Sequence, residues 1–184
     1  MKRIGFGQVE PNHLSAQRNG QIYAQRKATG LNIIENGMFL KYTVSGSDEV
    51  VSTSGVGEWM LVLNEVKLYD DAWRYMQTVE GVDAGVYSGY AMKPDNQDDM
   101  VPRLFKTNVG DIFTTNTIGA INGKEVDPLT LAVGNTLKIG TDGYLYEANA
   151  EGATFDSTST MEWTVVRVYT MPDGQAGVKI QRTK

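Results

Sequence analysis

The apolar and polar positions single out residues 59–63, Trp-Met-Leu-Val-Leu, as a continuous apolar run preceded by Gly55 and Gly57. The run is too short for a buried helix and fits a strand covered on both faces. Beyond Asn64 the pattern turns to alternation, with Val66 and Leu68 opposite Glu65, Lys67 and Tyr69. That describes a half-buried continuation, and its change of phase calls for a bulge at Asn64 and Glu65. This strand is predicted to be central, with Trp59, Leu61 and Leu63 in the core.

Upstream, residues 31–35 and 38–44 are β-type runs separated by Asn36-Gly37. That dipeptide supplies two positive φ angles, so the spacing predicts a type I′ hairpin. Leu40, Tyr42 and Val44 fall on one face of the second run, Lys41 and Thr43 on the other, and a short strand around Val50 and Val51 follows. Downstream, Asp70 or Asp71 caps a predicted short helix through Trp73, Met76 and Val79 that Gly81 ends. Residues 81–100, with Gly81, Gly85, Gly89 and the acidic Asp95, Asp98 and Asp99, read as an exposed loop excursion.

From Val101 strand signals recur at the spacing of a sandwich or barrel: 103–106, 111–116, 129–133, 136–139, 144–147, 162–170 and 178–181. Gly134-Asn135, Asp142-Gly143 and Pro172-Asp173-Gly174 supply the intervening turns. Trp163 and Val166 are assigned to the core, and Glu162-Trp163 echoes Glu58-Trp59 without making a repeat. The fold class expected is all-β, a β-sandwich or partly closed β-barrel with at most one short helix.

At 184 residues without cysteine, the chain has room for one domain that buries roughly 70% of its unfolded surface with no disulfide to staple it. Twenty glycines and nine tyrosines favour strands joined by tight turns. The start has no apolar segment of signal-peptide length, and no run is long enough to span a bilayer, so a soluble chain with no membrane partner is expected. Charge divides unevenly. Residues 1–27 hold Lys2, Arg3, Arg18, Arg26 and Lys27 against Glu10 alone, a net +4, which leaves −9 for the rest of a chain whose total is −5.

Residues 1–27 lack clean strand alternation, and Gly20 interrupts the only helical candidate. They are expected to form an extended N-terminal arm ahead of a β-rich domain at 28–184. Its spaced apolar residues distinguish it from a disordered linker. Arg3, Phe6, His13, Leu14, Arg18, Tyr23 and Arg26 are the residues expected to bind a partner; a solvated tail is the plain alternative.

His13 is the only histidine, so one chain assembles neither a histidine triad nor a multi-histidine metal site, and thiolate and zinc–sulfur chemistry are absent with cysteine. Gly5-Phe6-Gly7 and Gly55-Val56-Gly57 lack the remaining elements of a nucleotide-binding loop and read as turns. Asp95, Asp98 and Asp99 do not keep the spacing of a calcium-binding EF-hand loop. No catalytic residue, metal ligand or cofactor is assigned. A carboxylate pair for glycoside chemistry needs only to converge in space and stays open. Trp59 and Trp163 read as core and Trp73 as the exposed tryptophan, and the acidic body argues against nucleic acid.

Three stretches together resemble the small capsid-associated proteins encoded among the head genes of tailed bacteriophages: Gly7-Gln-Val-Glu-Pro-Asn-His-Leu-Ser-Ala-Gln17, Glu58-Trp-Met-Leu-Val-Leu-Asn-Glu-Val-Lys-Leu-Tyr69 and Val101-Pro-Arg-Leu-Phe-Lys-Thr-Asn-Val-Gly-Asp-Ile-Phe-Thr-Thr-Asn116. Asp142-Gly-Tyr-Leu and the closing Gly177-Val-Lys-Ile-Gln-Arg182 are similar to that group as well. The resemblance implies a β-rich decoration or minor capsid protein on the virion surface, assembled in the host cytoplasm. Its expected partner is the major capsid protein, with self-association as a homo-oligomer left open, and no enzymatic activity is implied. The alternative is a carbohydrate- or host-surface-binding β module of the virion, which needs a solvent-facing aromatic platform.

Overall fold

The computed structural model describes residues 7–15, 22–23, 31, 34–45, 48–63, 102–124, 126–172 and 174–184, and at 22–23, 45 and 48–50 the backbone alone. These residues form two antiparallel sheets. One has six strands in the order β1-β7-β11-β10-β8-β9: β1 (Val9–His13), β7 (Ile112–Thr115), β8 (Thr136–Ile139), β9 (Leu145–Glu147), β10 (Glu162–Thr170) and β11 (Ala176–Arg182). The other has five in the order β2-β6-β5-β3-β4: β2 (Ile22–Tyr23), β3 (Phe39–Ser45), β4 (Asp48–Ser52), β5 (Trp59–Val62) and β6 (Leu104–Phe105). Among the described residues the sheets stay open, with no closed barrel, and pack face to face as an all-β sandwich.

Strand parity divides the apolar residues between two cores. Phe39, Trp59, Leu61 and Phe105 of the five-stranded sheet meet Phe113, Leu137, Ile139, Leu145, Trp163, Val165, Val178 and Ile180 of the six-stranded sheet. On the far side of the five-stranded sheet, Leu40, Val51, Met60, Val62 and Leu104 join Leu31, Ile34 and Met38 in a second cluster. β5 lies in the middle of its sheet, and all four of its residues are buried because it carries apolar side chains into both cores. Leu63, just past its end, packs half-buried on the main core.

Several expectations change. The described part of the leader is woven into the sandwich: Val9, Glu10 and Pro11 pair with Thr115, Thr114 and Phe113, and the backbone of β2 pairs with β6. The division at residue 27 therefore separates strands of the same two sheets. Pro11 and Asn12 hide β1 in the sequence, and an edge strand tolerates them because one side of its backbone needs no partner. Asn36-Gly37 is not a type I′ turn. Gly37 alone has positive φ, at 92°, the Met38 amide donates to the Glu35 carbonyl at 3.3 Å, and Glu35 belongs to no strand. This is a type II arrangement leading into β3.

Residues 129–133 are not a strand. Asp127 caps a 3-10 turn at Pro128–Thr130, its carboxylate accepting from the Leu129 amide, and the proline presets the turn. Val166 is not core either: it is 41% exposed, because the β10–β11 register slips between Val165 and Arg167 and leaves Val166 as the extra residue of a bulge. The bulge expected at Asn64 and Glu65, the helix through Trp73 and the excursion at 81–100 lie outside the described residues.

Candidate functional site

The leader residues expected to bind a partner separate in the structure. Leu14 is 3% exposed and belongs to the core between the sheets, so it is an internal anchor and not a contact residue. His13 is exposed at the end of β1. Arg3, Phe6, Arg18 and Arg26 lie outside the described residues, as does the side chain of Tyr23.

The carboxylates inside the sandwich are engaged in holding it. Asp111 accepts the Ser15 amide at 2.9 Å and its hydroxyl at 2.5 Å through Oδ1, and the Asn108 amide at 2.9 Å through Oδ2, tying the residues just after β1 to the turn before β7. Glu35 accepts the Gly7 amide at 2.9 Å and the Tyr144 hydroxyl at 2.6 Å. A Cβ at Gly7 would stand 2.3 Å from the Asn36 carbonyl oxygen, so only glycine lets the leader pass this close.

Two clefts remain. The larger, 230 Å³, is walled by Ile118, Ala120 and Val126 on one side and by Tyr144, Tyr146, Asp142 and Asn116 on the other. The Tyr146 hydroxyl donates to Asp142 Oδ2 at 2.5 Å, and the Tyr144 amide donates to Oδ1 at 3.1 Å. Burial, with the Asp142 carboxylate beside it, pushes the Tyr146 phenol well above its ordinary range. It therefore stays a neutral donor and no base. The arrangement offers an aromatic face and an exposed carboxylate, while the buried Asn116 amide is taken by the Gln8 amide and the Gln175 side chain, and among the described residues it holds no nucleophile beside a base.

The smaller cleft, 150 Å³, is lined by Glu58, Trp59, Asp156, Thr158, Ser159 and Arg182, among others. Asp156 Oδ2 accepts the Trp59 indole N–H at 2.8 Å and lies 2.7 Å from Lys41 Nζ, while Oδ1 accepts the Thr158 amide at 2.9 Å and its hydroxyl at 2.6 Å. Burial opposes the Asp156 charge, but Lys41, Thr158 and Trp59 together outweigh it and hold the carboxyl well below its usual range. Lys41 Nζ also sits 4.7 Å from the Trp59 ring centroid and donates to the Gly55 carbonyl at 3.2 Å. Next to it, Glu58 pairs with Lys106 at 2.8 Å and with Arg182 at 3.3 Å. Every charge here has an opposite partner, so the cleft reads as a clamp between the sheets. Sequence parity placed Lys41 on the face opposite Leu40; it could not show that a residue 115 positions away would neutralise it.

The outer face of the six-stranded sheet is different. Glu10, Thr114, Lys179 and Arg167 stand in register across β1, β7, β11 and β10. Tyr169 lies along this face, its hydroxyl 3.0 Å from Glu10 Oε2 and 2.9 Å from Thr114 Oγ1, with the Arg167 guanidinium 5.5 Å from its ring centroid. Among the described residues, Arg167 and Lys179 are directly opposite each other and neither forms an ion pair. No group of three or more potential ligands that could hold a metal ion occurs among the described residues.

Compared with known proteins, the chain matches no family model, no curated protein and no solved structure.

Proposed function

We propose that this chain is a virion structural protein that decorates or stabilises the capsid of a tailed bacteriophage by binding the major capsid protein, and that it works without catalysis. The observation that carries the reading is where the three phage-like stretches meet. β1 of the first pairs with β7 of the third, and β5 of the second pairs with β6 of the third. The resemblance thus falls on one connected block of strands that spans both sheets. Internal carboxylates committed to the Gly7, Ser15 and Asn108 amides and to Lys41 suit a rigid body that acts through its surface. Cosedimentation of the full chain with capsids lacking it tests the reading: saturable binding supports it, and a chain left entirely in the supernatant rejects it.

The larger cleft favours a second reading, a carbohydrate-binding module of the virion. Tyr144 and Asp142 converge there as an aromatic face and a carboxylate. Retention on a glycan array, lost in Tyr144→Ala, would move the function to that class.

A further inference from the structure

We propose that the outer half of β10 is a docking edge that takes up an extended acidic segment of a partner protein as an added antiparallel strand. The proposal rests on the capsid-binding reading for the partner's identity, but the edge itself is argued from the strand.

β10 changes character at Val165. Up to there it is paired on both sides, with β11 along one side and β8 along the other, and the last bonds to the β8 side run from Gly134 N to the Val165 carbonyl at 2.8 Å and from Val165 N to the Asn135 carbonyl at 2.9 Å. Past the bulge, residues 166–170 pair with β11 alone, and among the described residues no strand lies on their other side. The Met171 amide donates to the Gln175 carbonyl at 2.7 Å, closing the hairpin. Counting back by two, Tyr169 and Arg167 exchange bonds with β11, so the backbone groups of Val168 and Thr170 face outward. Such a row of unused donors and acceptors is a template for another strand.

The occupant's chemistry follows from charge. Arg167 and Lys179, like charges set directly opposite, repel each other on a chain whose net charge is −5. A carboxylate on an incoming strand would lie beside Arg167 and relieve that repulsion. A second copy pairing through this edge would instead bring four cations together. At the start of the edge Val166 and Val133, 41% and 67% exposed, offer an apolar contact for the first residue of the guest. A bulge and a charge also protect edges from unwanted pairing. That role predicts rejection of every strand regardless of its charge, which separates it from acid-selective capture.

The test uses the full chain and two short synthetic strands, one alternating Val with Glu and the other Val with Lys, followed by amide chemical shifts and fluorescence anisotropy. The acidic strand is expected to shift the amides of residues 166–170 and to bind more weakly as salt rises, while the basic strand leaves them unmoved. Arg167→Glu with Lys179→Glu is expected to weaken the acidic strand about tenfold or more. Thr170→Pro removes an outward donor and spares the β11 pairing, so it is expected to reduce binding without loss of the folded spectrum. Equal response to both strands, or no shift at 166–170, overturns the proposal. So does a concentration-dependent dimer that Thr170→Pro abolishes, because the occupant would then be a second copy. A peptide that docks while capsids do not bind rejects the capsid reading and leaves the edge standing.

Discussion

β5 and β10 start alike, each just after or at a Glu-Trp pair, and end in opposite conditions. β5 keeps a neighbour on both sides, β3 and β6, and all four of its residues are buried. β10 begins the same way, with Trp163 against Phe39 and Phe113 at ring-centroid distances of 5.6 and 5.0 Å, and then loses β8 after Val165 while Val168 still packs half-buried on the main core. The tryptophans differ too. Trp59 reaches the rim and donates to Asp156, whereas the Trp163 N–H meets no oxygen or nitrogen acceptor among the described residues. A strand that loses one flank keeps its apolar residues buried only on the face that still meets a core, as Val51 and Leu145 do on the edge strands β4 and β9.

The largest expected effects lie where the two strands agree. Trp59→Ala and Trp163→Ala are each expected to cost about 3–5 kcal/mol in a denaturant titration, since both leave a large cavity between the sheets. A loss below 1 kcal/mol for either would take that strand out of the core.

The Lys41–Asp156 pair distinguishes the rim of β5 from the centre of β10. Lys41→Met leaves the half-buried Asp156 carboxylate with only its Trp59 and Thr158 hydrogen bonds and is expected to cost about 1–2 kcal/mol. Because folding lowers the Asp156 pKa, its contribution is complete above the unfolded carboxylate value of ~3.9 and is lost as pH falls through the lower folded value. Melting curves at descending pH should therefore show a loss of stability below about pH 4 that is smaller in Asp156→Asn. An unchanged acid profile in that variant would remove Asp156 from the account.

The smallest effect is the sharpest contrast. Val165→Ala is expected to cost about 1–3 kcal/mol and Val166→Ala less than about 0.5 kcal/mol, although the two are neighbours of the same type. Equal losses would mean that the bulge is absent in solution.

The sandwich is legible in the sequence wherever a strand's own pattern decides its place. Residues 136–139 and 162–170 coincide with β8 and β10, and the Trp59 run reads as a strand covered on both faces because both faces are apolar. What local pattern does not carry is the neighbour. Leu14 reads as an arm anchor because nothing near it shows that β1 lies beside β7; Val166 reads as core because nothing near it shows that the β10–β11 register slips between Val165 and Arg167. The Lys41–Asp156 clamp is hidden for the same reason, since its partners meet only after both sheets have formed.

Amide hydrogen exchange on the full chain, free and bound to capsids that lack it, reads docking at the outer half of β10 residue by residue. Docking at this edge leaves the amides of Val168 and Thr170 exchanging rapidly in the free chain and protects them on the particle, while those of β5 are protected in both. Saturable capsid binding with Val168 and Thr170 still exchanging rapidly would contradict it.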